Sequence, residues 1–177
     1  MLVQVIDTAM NFKKEAILFL ATGLNVGKIP FAPGTFGSLI GVPLGFVLAG
    51  LKLTQAIACA ALFICFAIWI SHVAARVLKE KDPGCIVIDE VAGMMVALIG
   101  LPFNLATAVV GFIFFRILDI LKPFPIRFLD NRVSGGLGIV ADDVAAGIIA
   151  NLLLRIIFYF FFRYLSRSTL EKIDNDS

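Results

Sequence analysis

Residues 86–92 read I-V-I-D-E-V-A and residues 139–145 read I-V-A-D-D-V-A, near copies of one another. Each runs into an apolar stretch, Gly93 to Leu101 in the first case and Ala146 to Leu154 in the second. With Asp119, this leaves five carboxylates (Asp89, Glu90, Asp119, Asp142 and Asp143) inside or at the rim of apolar segments. A carboxylate in hydrocarbon is costly and persists only with a partner or a function. Repeated acid pairs at the mouths of two membrane segments point to a divalent-cation site facing the lipid–water interface.

Composition agrees with a membrane setting. The 177 residues are enough for one domain. They are 60% apolar, against roughly 45–50% for soluble proteins, with a mean hydropathy of +0.99. A globule this small has no interior for that excess, so the chain reads as a polytopic membrane protein. The net charge of +2 says nothing about a nucleic-acid partner, and with no basic run interleaved with aromatics none is expected. Cys59, Cys65 and Cys85 have no metal-ligand spacing, and an odd count fits a reduced, cytosol-facing chain. Ala16 to Leu24 is too short for a signal peptide and is followed by Lys28 rather than a cleavage site.

Three regions are expected: an interfacial lead-in over 1–26, a membrane-embedded catalytic domain over 27–165, and a polar tail over 166–177. Four to five apolar segments lie at about 39–51, 54–75, 86–102, 105–121 and 139–162. The first is short for a full span; the second, fourth and fifth are adequate at roughly 20 residues. Arg76, Lys79 and Lys81 fill one connection, Lys122, Arg127 and Arg132 another, and Lys28 a third. The positive-inside bias puts those three loops in the cytosol. All five carboxylates then reach the cytosolic leaflet, although only Lys and Arg set the orientation.

Neighbouring helical residues point about 100° apart, so each acid pair sends one carboxylate inward and the other sideways. Mg²⁺ takes hard oxygen ligands and usually keeps waters beside one or two carboxylates and a substrate phosphate. The plainer alternative makes the acids helix caps favoured by the dipole. Arg116, Asp119 and Lys122 fall at i, i+3 and i+6 on one helix face before Pro123 ends the helix. That pattern fits either an intrahelical salt bridge or a metal-ligand Asp flanked by phosphate-binding cations. The loop from Lys28 to Ser38 offers glycines, a lysine and the Thr35 and Ser38 hydroxyls ahead of an apolar segment, a natural anion site. It is not a Walker A loop, because the spacing is short and Ile29 follows the lysine. His72, the only histidine, rules out phosphatase chemistry needing two. No Cys-x5-Arg is present, and the one Asp-x-Asp, Asp174-Asn-Asp176, lies in the polar tail.

These stretches resemble the phosphatidylglycerophosphatase A family. The matching residues are Gly27-Lys28-Ile-Pro30 with Ala32-Pro33-Gly34-Thr35-Phe36-Gly37-Ser38-Leu39, then Ile86 to Glu90 with Gly93-Met94. Phe115-Arg116-Ile-Leu-Asp119-Ile-Leu-Lys122-Pro123-Phe124-Pro125-Ile-Arg127 follows, then Asp130 and Gly135 to Asp143, in family order across residues 27–147. The resemblance implies an all-helical, Mg²⁺-dependent phosphatase of the bacterial inner membrane. Its substrate would be phosphatidylglycerophosphate and its product phosphatidylglycerol.

The resulting expectation is an all-α, multi-pass bundle carrying out metal-assisted hydrolysis at a cytosolic site. Asp89, Glu90, Asp119, Asp142 and Asp143 would be the catalytic and metal-holding residues, with one or two Mg²⁺. Lys28, Thr35, Arg116, Lys122 and Arg127 would bind phosphate. The partner is a phospholipid substrate within the membrane. Which carboxylate serves as base, and whether water or a side chain attacks, stays open. The rival is a small cation- or proton-coupled transporter, since intramembrane acids and an internal repeat also describe transporters. Against it, the repeat is short, its copies share an orientation, and the acids cluster at one leaflet.

Overall fold

A computed structural model describes residues 2–102 and 104–175, with side chains placed for 11–102, 104–130, 132–161 and 163. Asp176 and the side chain of Asp174, the Asp-x-Asp of the tail, lie outside them. Among the described residues the chain forms seven α-helices and no strand. They are α1 (Leu2–Ala21), α2 (Pro33–Ala49), α3 (Leu53–Leu78), α4 (Ile88–Leu98), α5 (Leu105–Leu121), α6 (Ile126–Arg132) and α7 (Gly135–Asn175). A 3-10 turn, Val26–Lys28, precedes α2. Local chemistry sets several boundaries. Pro33 opens α2, where its missing amide hydrogen is harmless. The Asn104 side chain accepts from the Thr107 amide to start α5, and left-handed Lys122 ahead of Pro123 closes it.

Only two helices are long and apolar enough to cross a membrane, Leu53–Leu78 and Gly135–Phe161. Their apolar windows are just 28% and 22% buried by the protein, which suits contact with hydrocarbon rather than a place in a core. Ile57, Leu62 and Trp69 on α3 and Leu152, Ile156 and Phe160 on α7 supply it. The expectation of four to five apolar membrane segments, three of them adequate to span, is therefore too high, since only the second and fifth form helices of spanning length. Helices α2 and α5 have 17 residues each, about 25 Å at 1.5 Å per residue, against about 30 Å of hydrocarbon. Segment 86–102 contains only the 11-residue α4, stopped by Gly100 at φ +66 and by Pro102. At the ends, α1 extends through most of the expected lead-in, and α7 carries on as helix to Asn175 through the expected tail.

Helix α4 is the centre of the molecule. It packs on α2, α3, α5 and α7, and all but two of its residues are buried. Close approach needs missing side chains. A Cβ on Gly41 of α2 would fall 2.6 Å from the Met94 Cβ. One on Gly93 would stand 2.7 Å from the Asp143 carbonyl oxygen and 2.6 Å from the Phe115 ring, and Gly147 backs directly onto the Gly93 carbonyl. These contacts are the small-residue crossings by which helices associate in lipid. Asp89 meets Asp143, Gly93 meets Gly147, and the end of α4 meets Arg155, so α4 and α7 run parallel. The sequence repeat thus becomes a parallel helix pair with both acid pairs at one end.

Ending α4 inside the protein leaves carbonyls without helical partners, which lipid cannot satisfy. Asn151 of α7 supplies them. Its Nδ2 donates to the Val96, Ala97 and Ile99 oxygens at 3.3, 3.0 and 2.9 Å. Arg155 donates Nε to Asn151 Oδ1 at 2.8 Å and Nη2 to the Ile99 oxygen at 3.0 Å. Its positive charge also suits the negative end of the α4 dipole. Asn151→Leu should therefore destabilise the fold by about 1–3 kcal/mol, the scale of two or three lost hydrogen bonds. The readout is a lowered thermal midpoint in detergent. An unchanged midpoint would show that α4 is capped by other means.

Candidate functional site

The Val87 amide donates to the Ala21 carbonyl at 3.0 Å, tying the start of α4 to the end of α1. Asp89 and Glu90 follow within the first turn of α4. Asp143 sits two turns inside α7, well past its first residue, Gly135, so it cannot be a cap of that helix. One oxygen from each of Asp89, Glu90 and Asp143 falls within 4.8 Å of the other two. Asp119 of α5 stands beside Glu90 and Asp143. Asp89 and Asp143 are buried and Glu90 half-buried.

Charged carboxylates this close repel strongly, by about 3 kcal/mol per pair at 5 Å for an effective dielectric constant of about 20. Glu90 Oε2 and Asp143 Oδ1 are also buried without a hydrogen-bond partner. Three converging carboxylates with orphaned oxygens are a donor set that a hard divalent cation would complete. The cap alternative accounts for Asp89 and Glu90 only.

Cations border this cluster unevenly. Arg116 Nη1 contacts Asp119 Oδ2 at 2.5 Å and Ser38 Oγ at 3.4 Å, while its Nε is buried and unpartnered. Buried Ser38 donates its hydroxyl to the Gly34 carbonyl at 2.7 Å. Gly34, in the first turn of α2, lies directly against the Glu90 carboxylate and close to Arg116. The α2 N-terminus, with half-buried Thr35 next in the turn, therefore sits against the acid cluster, its dipole favouring negative charge there.

Lys122 departs from expectation. As the left-handed residue beyond α5 (φ 44) it leaves the face shared by Arg116 and Asp119. Its Nζ reaches Asp130 Oδ1 at 2.9 Å and Asp142 Oδ2 at 2.6 Å. Burial works against its charge, but the hydrogen bonds it donates to Asp142 and Asp130 outweigh that and push its pKa up. Asp142 accordingly faces Lys122 and stands apart from the three-carboxylate cluster, the sideways member of its pair.

The structure thus gathers Asp89, Glu90, Asp119, Asp143, Arg116 and the Thr35 turn. Lys122 and Asp142 form an adjoining ion-paired group with Asp130. Exposed Lys28 lines a separate cleft with Phe12, Glu15 and Phe19, and Arg127 projects from the surface helix α6. Two contacts are not legible in the sequence: that of Ser38 with Arg116, and that of Lys122 with Asp130, eight residues away with no pattern to pair them. His72, left outside the site, accepts from the Gly136 amide at 3.4 Å.

A family model described as phosphatidylglycerophosphatase A matches residues 19–158. A phosphatidylglycerophosphatase A of Escherichia coli is 40% identical over 132 residues, covering 74% of this chain and 77% of that protein. One from Haemophilus influenzae is 38% identical over 146 residues, 81% of this chain and 89% of that one. A Bacteroides thetaiotaomicron protein, provisionally named a phosphatidylinositol-3-phosphatase, is 35% identical over 150 residues, 78% of this chain and 91% of its own length. No solved structure matches. By the extent of these matches over its fold and its acid cluster, the chain belongs to the phosphatidylglycerophosphatase A family.

Proposed function

We propose that the chain hydrolyses the terminal phosphate of phosphatidylglycerophosphate, releasing inorganic phosphate and leaving phosphatidylglycerol in the membrane. The observation that carries this reading is the buried Asp89–Glu90–Asp143 cluster, with its orphaned oxygens, facing Arg116 in a chain of this family. Phosphoryl transfer asks a protein mainly to position groups and to neutralise charge spreading over the phosphoryl oxygens.

Asp89, Glu90 and Asp143 would hold a divalent cation, taken as Mg²⁺ because all the donors are hard oxygens. Such an ion polarises phosphoryl oxygens and lowers the pKa of a bound water. Arg116 offers its guanidinium to the phosphate, with Asp119 and Ser38 fixing the fork. The α2 first turn, including Thr35, presents its dipole to the same anion. Asp119, beside Glu90 and Asp143, would take a proton from the attacking water. A new phosphorus–oxygen bond forms to that water, the bond to the glycerol oxygen breaks, and the departing oxygen takes up a proton.

The acids and the basic residues Arg76, Lys79, Lys81, Arg127 and Arg132 lie toward one end of the bundle, which supports a multi-pass inner-membrane enzyme with a cytosolic active site. The transporter reading lacks support. The repeat forms a parallel pair rather than an inverted one, and its acids gather at one end.

Asp89→Asn, Glu90→Gln and Asp143→Asn should each reduce turnover of phosphatidylglycerophosphate by about 100-fold or more while the protein stays folded. Chelation should abolish turnover by the unmodified chain, and Mg²⁺ should restore it. Full activity in all three variants would remove the cluster from the chemistry. Phosphatidylinositol 3-phosphate, assayed alongside, shows whether the provisional name of the Bacteroides relative applies here.

Arg116→Lys separates phosphate binding from a purely structural ion pair. An ammonium keeps the charge but loses the fork, so kcat/KM should fall by about 30- to 1,000-fold with little change in thermal midpoint. Near-normal kinetics would make Arg116 a structural partner of Asp119.

A further inference from the structure

The Lys122 group borders a cavity of about 170 Å³ between the loop after α3 and the α6–α7 corner. Its lining includes Lys81, Asp82, Asp130, Ser134, Gly138 and Asp142. Asp142 is 6% exposed and spends Oδ2 on Lys122, while its Oδ1 is buried without a partner. A buried carboxylate oxygen beside a polar cavity calls for a hydrogen-bond donor. Asp142 and Asp143 are consecutive on α7 and point about 100° apart, so the cavity and the acid cluster flank one helical turn.

Resting on the function proposed above, we infer that this cavity is the head-group subsite. The free secondary hydroxyl of the glycerol phosphate donates to Asp142 Oδ1 there while the terminal phosphate lies at the Asp89–Glu90–Asp143 cluster. Asp82, Asp130 and Asp142 face Lys81 across the lining, and Lys122 already engages two of these acids, so the cavity stays acidic on balance and suits a neutral hydroxyl donor better than a second anion. Lys122 holds the Asp142 carboxylate in place by occupying its other oxygen, leaving Oδ1 to the ligand. Asp142 thereby becomes a specificity-determining residue rather than a ligand of the cation.

The test compares kcat/KM for phosphatidylglycerophosphate with that for its analogue built on 1,3-propanediol, which lacks the secondary hydroxyl. The unmodified chain should prefer the natural substrate by about 10-fold or more, because a site built around a hydroxyl leaves its own acceptor unpaired with the deoxy compound. Asp142→Ala should bring that ratio close to one, whatever it does to the absolute rate. Ser134→Phe, which puts a bulky side chain at a lining position of the cavity, should also shrink the ratio and decides the matter if Asp142→Ala does not fold. Equal use of both substrates by the unmodified chain, or an undiminished ratio in the variants, overturns the subsite. No turnover of either substrate by the unmodified chain would instead defeat the phosphatase reading itself.

Discussion

Three carboxylates within 4.8 Å of one another repel, and two of them are buried in a protein whose two longest apolar helices suit a membrane. Left to themselves, the helices carrying them would separate. They are held because α4, which bears two of the acids, is locked into the bundle along its length. Glycines let α2 and α7 approach it to backbone distance, and Asn151 with Arg155 satisfies its far end. The shortness of α4 is what this arrangement serves. A half-length helix buried on nearly all sides places its N-terminal acids at a fixed height, sheltered from lipid by its neighbours.

The basic residues divide their work around this constraint. Arg116 lies on the same helix face as Asp119, which anchors Nη1, while its buried Nε is left without a partner. Lys122, one residue beyond the helix, is doubly paired and restrains the α6–α7 corner instead. The two cations are six residues apart, yet a single left-handed residue sends them to different compartments. Adjacent Asp142 and Asp143 face different chemistry because successive residues of α7 point about 100° apart.

Membrane immersion is carried chiefly by α3 and α7, whose outward faces stay apolar along lengths that match a bilayer. The shorter α2, α4 and α5 are gathered on them and supply most of the polar side chains of the site. Long helices thus set the position in the membrane, while short ones, free to start and stop within the protein, set the chemistry.

By itself the sequence determined the solvent, the helical class and the chemical character of the site. Sixty per cent apolar residues exclude a soluble globule of this size, and acids repeated at segment mouths mark their own exceptionality. Those are properties of composition and short spacing, and they survive any packing. Only the tertiary structure decided which acids meet. Asp143, but not Asp142, joins Asp89 and Glu90, because helical rotation assigns neighbours to different faces and only the α4–α7 crossing selects between them. It alone decided that segment 86–102 is a half-length helix, since a capped end depends on Asn151 and Arg155 more than fifty residues away. It alone paired Lys122 with Asp130, where a left-handed turn overrides the helical spacing that placed the lysine beside Asp119.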